Sequence, residues 1–310
     1  MYQRILVPLD GSKLSEQVLP HARLLAAAQH VPMHLLRIFN PVPEDMTGPI
    51  PGQYVDRLAT AFRNEATDYL GEIAGPLRGN GVEISVAAHE GDAASLIVRE
   101  AEKEPDTLIA MSTHGRSGVG RWVLGSVTDK VLHSTTSFML IVRGNSEQGA
   151  SAQVEFGTII IPLDGSPQAE QSLPVVAALA QPLGAKVSLV RVTSSVEEAL
   201  GSMAFQEMGT IIGPGMPSPD ELTKELDNEA ITYLDKIKEG LTQQGVSSVE
   251  TRVLHGNPAG AIVDAAQESP GALVAMTTHG RSGVGRWVLG SVTDRVVRES
   301  GEPVLVIRSS

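Results

Sequence analysis

Short apolar runs alternate with amphipathic stretches along the chain, and the order of the two is the same in both halves. The runs Arg4–Leu9, Met33–Phe39, Val82–Ala88, Asp106–Ser112 and Phe138–Arg143 are rich in Val, Ile and Leu. Runs this short and this rich in aliphatic residues read as buried strands. Their counterparts are Thr158–Leu163, Lys186–Val192, Val249–Leu254, Gly271–Thr277 and Pro303–Arg308. Between them apolar residues recur at helical spacing. Val18, Leu19 and Leu25 form one such stripe; Leu58, Phe62, Tyr69, Leu70 and Ile73 form another within Tyr54–Leu77. In the second half Leu222, Leu226, Tyr233, Leu234 and Ile237 repeat it within Asp220–Leu241. These stripes are read as core. Strand and helix alternate through nine elements per half, which predicts an α/β fold, a parallel sheet with helices on both faces in each half. The small, polar stretch 145–153 reads as a linker between domains at 1–144 and 154–310.

One stretch repeats without change. THGRSGVGRWVLGSVTD runs from Thr113 to Asp129 and again from Thr278 to Asp294, while elsewhere the halves agree mostly in pattern, with only short identities such as PLDGS. Cores tolerate apolar swaps of similar volume, so identity in a glycine-rich polar stretch points to a site. Each copy follows an apolar run, and the glycines Gly115, Gly118 and Gly120 suit a loop. Val123, Leu124, Val127 and Val131 then recur at helical spacing. Ser126 and Asp129 have the form of a capping box, which predicts a helix start at Ser126.

Strand, glycine loop and helix start together make a phosphate site, because backbone N–H groups and the helix dipole point at the anion. Arg116 and Arg121, with Arg281 and Arg286 in the second copy, add candidate cationic contacts. The plainer alternative is a tight turn with Ser126 capping its helix. Two better-known phosphate motifs fail: Arg121-Trp122 stands where a P-loop needs Lys and Ser or Thr, and the dinucleotide fingerprint lacks its last glycine.

Asp10-Gly11-Ser12 and Asp164-Gly165-Ser166 follow the first strand of each half. Ser166 before Pro167 has the pattern of a cap and first helical residue. Asp-Gly is common in turns, but strand carboxyl ends are also where open α/β sheets bind ligands. His89 and His255 end the third strands and read as structural hydrogen-bonding groups; His114 and His279 lie within the repeat, either at ligand or fixing the loop. The proline-rich stretches 40–53 and 193–219 read as surface loops.

Composition narrows the field. With no cysteine there are no disulfides, thiol catalysis or cysteine-ligated metal, and no His/Asp/Glu cluster has metal-ligand spacing. A net charge of −12 argues against broad nucleic-acid binding. No apolar run approaches the roughly 20 residues that cross a bilayer, and the opening residues lack a signal-peptide pattern. The expectation is a cytoplasmic protein without nucleic-acid or membrane partners.

These motifs resemble the universal stress protein domain, twice in tandem. That family's nucleotide-binding members carry Gly, two residues, Gly, nine residues, then Gly with Ser or Thr. Gly115 matches the second glycine and Gly125-Ser126 closes the motif; in the second half these are Gly280, Gly290 and Ser291. The first glycine is replaced by Ser112 and by Thr277. The family's aspartate after strand one matches Asp10 and Asp164. The resemblance implies two Rossmann-like domains, each a five-stranded parallel sheet of order 3-2-1-4-5. It also implies ATP, with Mg²⁺ arriving on its phosphates, in the crevice between strands one and four. Adenine would lie by Pro8, Leu9, Asp10 and Phe39, the remainder by Met111, Ser112, Gly115, Arg116, Gly125, Ser126 and Val127. In the second half the matching residues are Pro162, Leu163, Asp164, Val192, Met276, Thr277, Gly280, Arg281, Gly290, Ser291 and Val292. Family members pair through strand five, so the last strands of the two halves are expected to pair antiparallel within one chain, with a homodimer a further expectation. Three functions fit: an ATP-binding stress or regulatory protein, a slow ATPase, and an interaction module with vestigial sites. The absence of a general base, Walker lysine or paired carboxylates weighs against turnover.

Overall fold

The computed structural model describes residues 1–40, 52–78, 81–114, 124–144, 154–193, 218–278 and 289–308. The glycine-rich centre of each repeat (115–123 and 279–288), most of both proline-rich stretches (41–51 and 194–217) and the linker 145–153 lie outside these residues. The chain divides into two compact units.

In the first unit β1 (Arg4–Pro8), β2 (Met33–Phe39), β3 (Ile84–Glu90), β4 (Thr107–His114) and β5 (Phe138–Gly144) form a parallel sheet in the order β3-β2-β1-β4-β5. Ile5 pairs with Met33 on one side and Leu108 on the other. Ile5, Leu6, Leu35, Leu36, Leu108, Ile109 and Ala110 are fully buried. A parallel strand is covered on both faces, so its sequence is continuously apolar rather than alternating. A short 3₁₀ turn (Ser15–Val18) leads into α1 (Leu19–Gln29); α2 (Gly52–Leu77), α3 (Ala93–Glu102) and α4 (Ser126–Ser134) follow. α2 packs on β2 and β3, α3 on β2 and β4, with α4 beside α3. The last strand of the chain, β10 (Val304–Arg308), belongs to this unit and pairs antiparallel with β5, Leu305 opposite Leu140. Pairing removes an otherwise open apolar edge.

The second unit repeats the plan. β6 (Thr158–Pro162), β7 (Lys186–Thr193), β8 (Val249–His255) and β9 (Leu273–Thr278) lie in the order β8-β7-β6-β9. Its helices are α5 (Pro167–Glu170), α6 (Ser172–Leu183), α7 (Pro219–Gln243), α8 (Pro258–Gln267) and α9 (Ser291–Glu299).

The long helices depart from the expected core stripe at their N-terminal halves. Leu70 and Leu234 are fully buried, but Leu58, Phe62 and Leu226 are each more than one-third exposed. Helical spacing identifies a face; what packs on that face is set by the sheet, which α2 meets only along part of its 26 residues.

Candidate functional site

The carboxyl ends of β1 and β4 diverge at the point where the strand order reverses, because β2 leaves β1 on one side and β5 leaves β4 on the other. A cavity of about 180 Å³ opens there. Pro8, Leu9, Asp10, Ser12, Leu14 and Ser15 form the wall after β1; Met111, Ser112 and Gly125 to Thr128 form the facing wall. Leu36 and Ile38 of β2, with Ala93 and Ile97 of α3, make an apolar floor. Residues about a hundred positions apart in sequence thus share one crevice.

The helix start on the far wall differs from the capping box expected of Ser126 and Asp129. Gly125 is the N-cap, Ser126 is the first helical residue, and among the described residues no side-chain cap bond is made at this helix start. Asp129 instead turns along the helix, its carboxylate 3.8 Å from His133 Nδ1. The second copy agrees: Gly290 is the N-cap of α9, again with no side-chain cap, and Asp294 takes two bonds from Arg298 Nε at 2.9 and 3.0 Å. An acid three residues into a helix caps only if the preceding Ser adopts the extended cap conformation. Here the glycine adopts it, with φ −55° and ψ 145°. Among the described residues, then, the first-turn N–H groups of α4 face the cavity without a side-chain cap, the electrostatic condition for holding an anion.

On the near wall Asp10 Oδ1 accepts the Ser12 N–H at 2.9 Å, and the Asp10 N–H reaches Ser15 Oγ at 3.4 Å. Burial alone would raise the Asp10 carboxyl, but the hydrogen bonds from Ser12 and Ser15 outweigh it and hold it below its ordinary value. Asp10 is a fixed anion and acceptor, suited to hydroxyl or amino donors of a ligand. Ser112, in place of the motif's first glycine, donates from Oγ to the Leu14 carbonyl at 2.8 Å. Its hydroxyl ties the two walls together. Thr128 Oγ1 reaches the Ser112 carbonyl at 3.5 Å, and Thr293 Oγ1 the Thr277 carbonyl at 3.1 Å, so each helix start is anchored to its own strand.

The second half places its counterparts alike. Pro162 ends β6, Leu163 is buried, and Asp164 Oδ1 accepts the Ser166 N–H at 2.9 Å. Ser166 caps α5, accepting from the Ala169 N–H at 3.1 Å with Pro167 at the first helical position, as its sequence predicts. Met276 and Thr277 end β9, and Gly290, Ser291 and Val292 open α9. Gly115, Arg116, Arg121, Gly280, Arg281 and Arg286 lie outside the described residues.

Strand register revises two readings. Pro8 pairs with Leu36 and Pro162 with Val190, so Val192 corresponds to Ile38 and not to Phe39. Ile38 lines the cavity, whereas Phe39 stacks on Phe62 of α2 with centroids 6.5 Å apart. Adjacent strand residues face opposite sides, so a one-residue choice moves the side chain off the site. Likewise Phe39 pairs with Glu90 and Thr193 with His255, so His255 corresponds to Glu90 rather than His89. The two histidines are not equivalent: His89 Nε2 lies 3.4 Å from Glu100 of α3, and His255 Nε2 lies 3.6 Å from Asp227 of α7. Each has a carboxylate partner that spacing alone did not reveal. Ser12, Leu14, Ser15, Leu36, Ala93, Ile97 and Thr128 are lining residues the sequence did not single out. Ser12 and Ser15 were legible as neighbours of Asp10; Ala93 and Ile97 reach the cavity only through helix packing.

Among the described residues no group of three His, Cys, Asp or Glu is placed to hold a metal ion, and no helix is long and apolar enough to cross a membrane. The Universal stress protein family profile matches residues 1–143 and 155–308. A universal stress protein of Mycolicibacterium smegmatis is 24% identical over 310 residues, spanning 98% of this chain and 96% of its own length. One from Thermus aquaticus is 32% identical over 154 residues, 49% of this chain and 99% of its own. In fold, the crystal structure of a universal stress protein from Archaeoglobus fulgidus superposes with a TM-score of 0.70 at 20% identity, each chain covered in full. With the repeated motif, the 3-2-1-4-5 sheet and two successive matches to one profile, the chain belongs to the universal stress protein family as a tandem member.

Proposed function

We propose that this chain is an ATP-binding regulatory protein of the stress response, acting in the cytoplasm through occupancy of its sites rather than through turnover. The single observation that carries the reading is the uncapped start of α4 opening onto a crevice whose opposite wall is a fixed carboxylate. An anion is favoured at one end by free N–H groups and the helix dipole. Asp10 at the other end offers an acceptor to neutral hydroxyl or amino groups. Between them the apolar floor of Leu36, Ile38 and Ile97 accepts a flat ring. A nucleotide carries all three kinds of group: phosphates, a flat base, and hydroxyl and amino donors. Ser126 and Val127 would hold the phosphates, and Mg²⁺ would ride on phosphate oxygens. The matching placement of Asp164, Met276, Thr277, Gly290, Ser291 and Val292 supports a second site of the same kind. The domain boundaries at 1–144 and 154–310 belong to the same reading.

The purified protein, denatured and filtered, is expected to release ATP, at up to two equivalents per chain. Calorimetry with ATP·Mg²⁺ then compares the parent with Asp10→Ala/Asp164→Ala. The double variant is expected to lose at least about tenfold in affinity, near 1.4 kcal/mol, while melting close to the parent because both carboxylates lie at the surface. A parent that neither releases nor binds nucleotide refutes the reading and leaves the interaction-module alternative. ADP in place of ATP would revive turnover.

A further inference from the structure

A second feature beside the cavity occurs in both halves. Gly11 and Gly165, the central residues of the two Asp-Gly-Ser turns, have φ of +84° and +87°. A guanidinium backs each turn. A Cβ on Gly11 would overlap Arg37 Nη1 and lie 2.9 Å from Arg37 Cζ; one on Gly165 would lie 3.3 Å from Arg191 Nη1. Each arginine also sits over a tyrosine of the long helix: Arg37 Cζ is 4.8 Å from the Tyr69 ring centroid and Arg191 Cζ 4.9 Å from that of Tyr233. Each tyrosine in turn donates to a glutamate five residues beyond the turn glycine, Tyr69 to Glu16 Oε1 at 3.3 Å and Tyr233 to Glu170 Oε1 at 3.0 Å. Burial, then the neighbouring carboxylate, raises both phenols above their ordinary values, so they remain donors. Strand two, the long helix and the segment after the turn are thereby closed into a ring around the loop that carries the aspartate. The glycine and glutamate lie in a stretch the two halves share (PLDGS, then Glu16-Gln17 and Glu170-Gln171), and both halves close the ring with the same four residue types.

We propose that Arg37 and Arg191 are positioning residues for the ligand site, bracing the Asp-Gly-Ser turns so that Asp10 and Asp164 face the crevice in a fixed geometry. This rests on the reading of that crevice as a nucleotide site. The bracing needs a planar group, one face on the tyrosine ring and one edge under the glycine. Lysine keeps the charge but cannot stack in this way. Asp10 has one strong local bond within the turn, from the Ser12 N–H, and a turn without a backing surface samples other conformations.

The test uses the full chain with Arg37→Lys/Arg191→Lys, read by ATP·Mg²⁺ calorimetry in the parent and in the Asp10→Ala/Asp164→Ala background. If the arginines act through the aspartates, affinity falls roughly tenfold in the parent and less than about twofold in the alanine background, the non-additivity of a coupled pair. Equal losses in both backgrounds, or no loss in the parent, overturn the proposal. A second readout needs no nucleotide: the carboxyl titration of Asp10, followed by carbon-13 NMR in Arg37→Lys. Charge is retained, so an upward move toward the ordinary aspartate value reports loss of the turn's hydrogen bonds, and an unmoved titration overturns the bracing. A parent that binds no ATP while Asp10 still shifts refutes the nucleotide reading and leaves the bracing standing.

Discussion

Gly144→Ala isolates the packing that shapes the cavity. Gly144 ends β5, and its φ lies outside the left-handed region, so alanine meets no backbone penalty. By itself the change would stabilise the chain by roughly 0.4–1 kcal/mol through the unfolded state. The site opposes it. A Cβ there would overlap Leu14 Cδ1, lie 2.8 Å from Leu14 Cγ and sit 3.0 Å from the Thr113 carbonyl oxygen. The carbonyl belongs to a paired central strand and yields little. The Leu14 side chain can rotate, but its own carbonyl is held by Ser112, and the open space beside it is the cavity it lines. Overpacking of this kind costs about 1–3 kcal/mol, so the net expectation is a destabilisation near 1–2 kcal/mol. In a unit of this size that lowers the melting temperature by about 2–4 °C per kcal/mol. Urea unfolding gives the free energy, and ATP·Mg²⁺ calorimetry on the same sample gives the affinity, expected to fall several-fold as Leu14 swings inward. A variant as stable as the parent, or more stable, refutes the steric account. A destabilised variant with unchanged affinity would show that Leu14 does not move into the site.

The same substitution reverses sign where space is open: Gly71→Ala, inside α2 with nothing within 4 Å of the added methyl apart from its own chain neighbours, should stabilise by about 0.5–1 kcal/mol in urea unfolding. Ser112→Ala removes the bond to the Leu14 carbonyl and should cost about 1 kcal/mol, with a loss of ATP affinity that Ser112→Thr largely avoids. Stability should also fall on acidification. Burial first, then the Arg4 cation and His89, hold His34 below its ordinary value despite the opposing pull of Glu100 and Glu104, so protonation favours the unfolded chain and stability declines as pH drops below about 6.5. Glu100 is held below the usual carboxylate value because bonds and charges from Lys103, His34 and His89 outweigh its burial; its contribution, present above the ordinary glutamate value, is lost at still lower pH. Urea midpoints from about pH 7 to pH 4 should show both declines, and His34→Gln should reduce the upper one, to which His21, also held below its ordinary value by burial, contributes.

Much of the cavity lining is legible in the sequence. Pro8, Leu9, Asp10, Met111, Ser112, Gly125, Ser126 and Val127 all line the cavity, because each lies in or beside a motif whose spacing carries chemistry. Phe39 was displaced by its neighbour Ile38, since an apolar run does not announce which parity faces the crevice. The capping box at Ser126 matched a pattern that Gly125 pre-empts. His89 and His255 looked like a repeat and prove to be offset by one strand position.

The sequence by itself determined the alternation of strands and helices, the duplication, the two Asp-Gly-Ser turns and the unchanged glycine-rich stretch. All of these are encoded locally, in residue type and in spacing of a few positions. Only the tertiary structure decided the register between strands, the exposure of Leu58, Phe62 and Leu226, the use of Ser112 as a tie between walls and the stacking of Arg37 and Arg191 on distant tyrosines. Those features depend on contacts between residues tens to a hundred positions apart. Pairing fixes them because a slip of one residue turns every side chain of a strand to the other face.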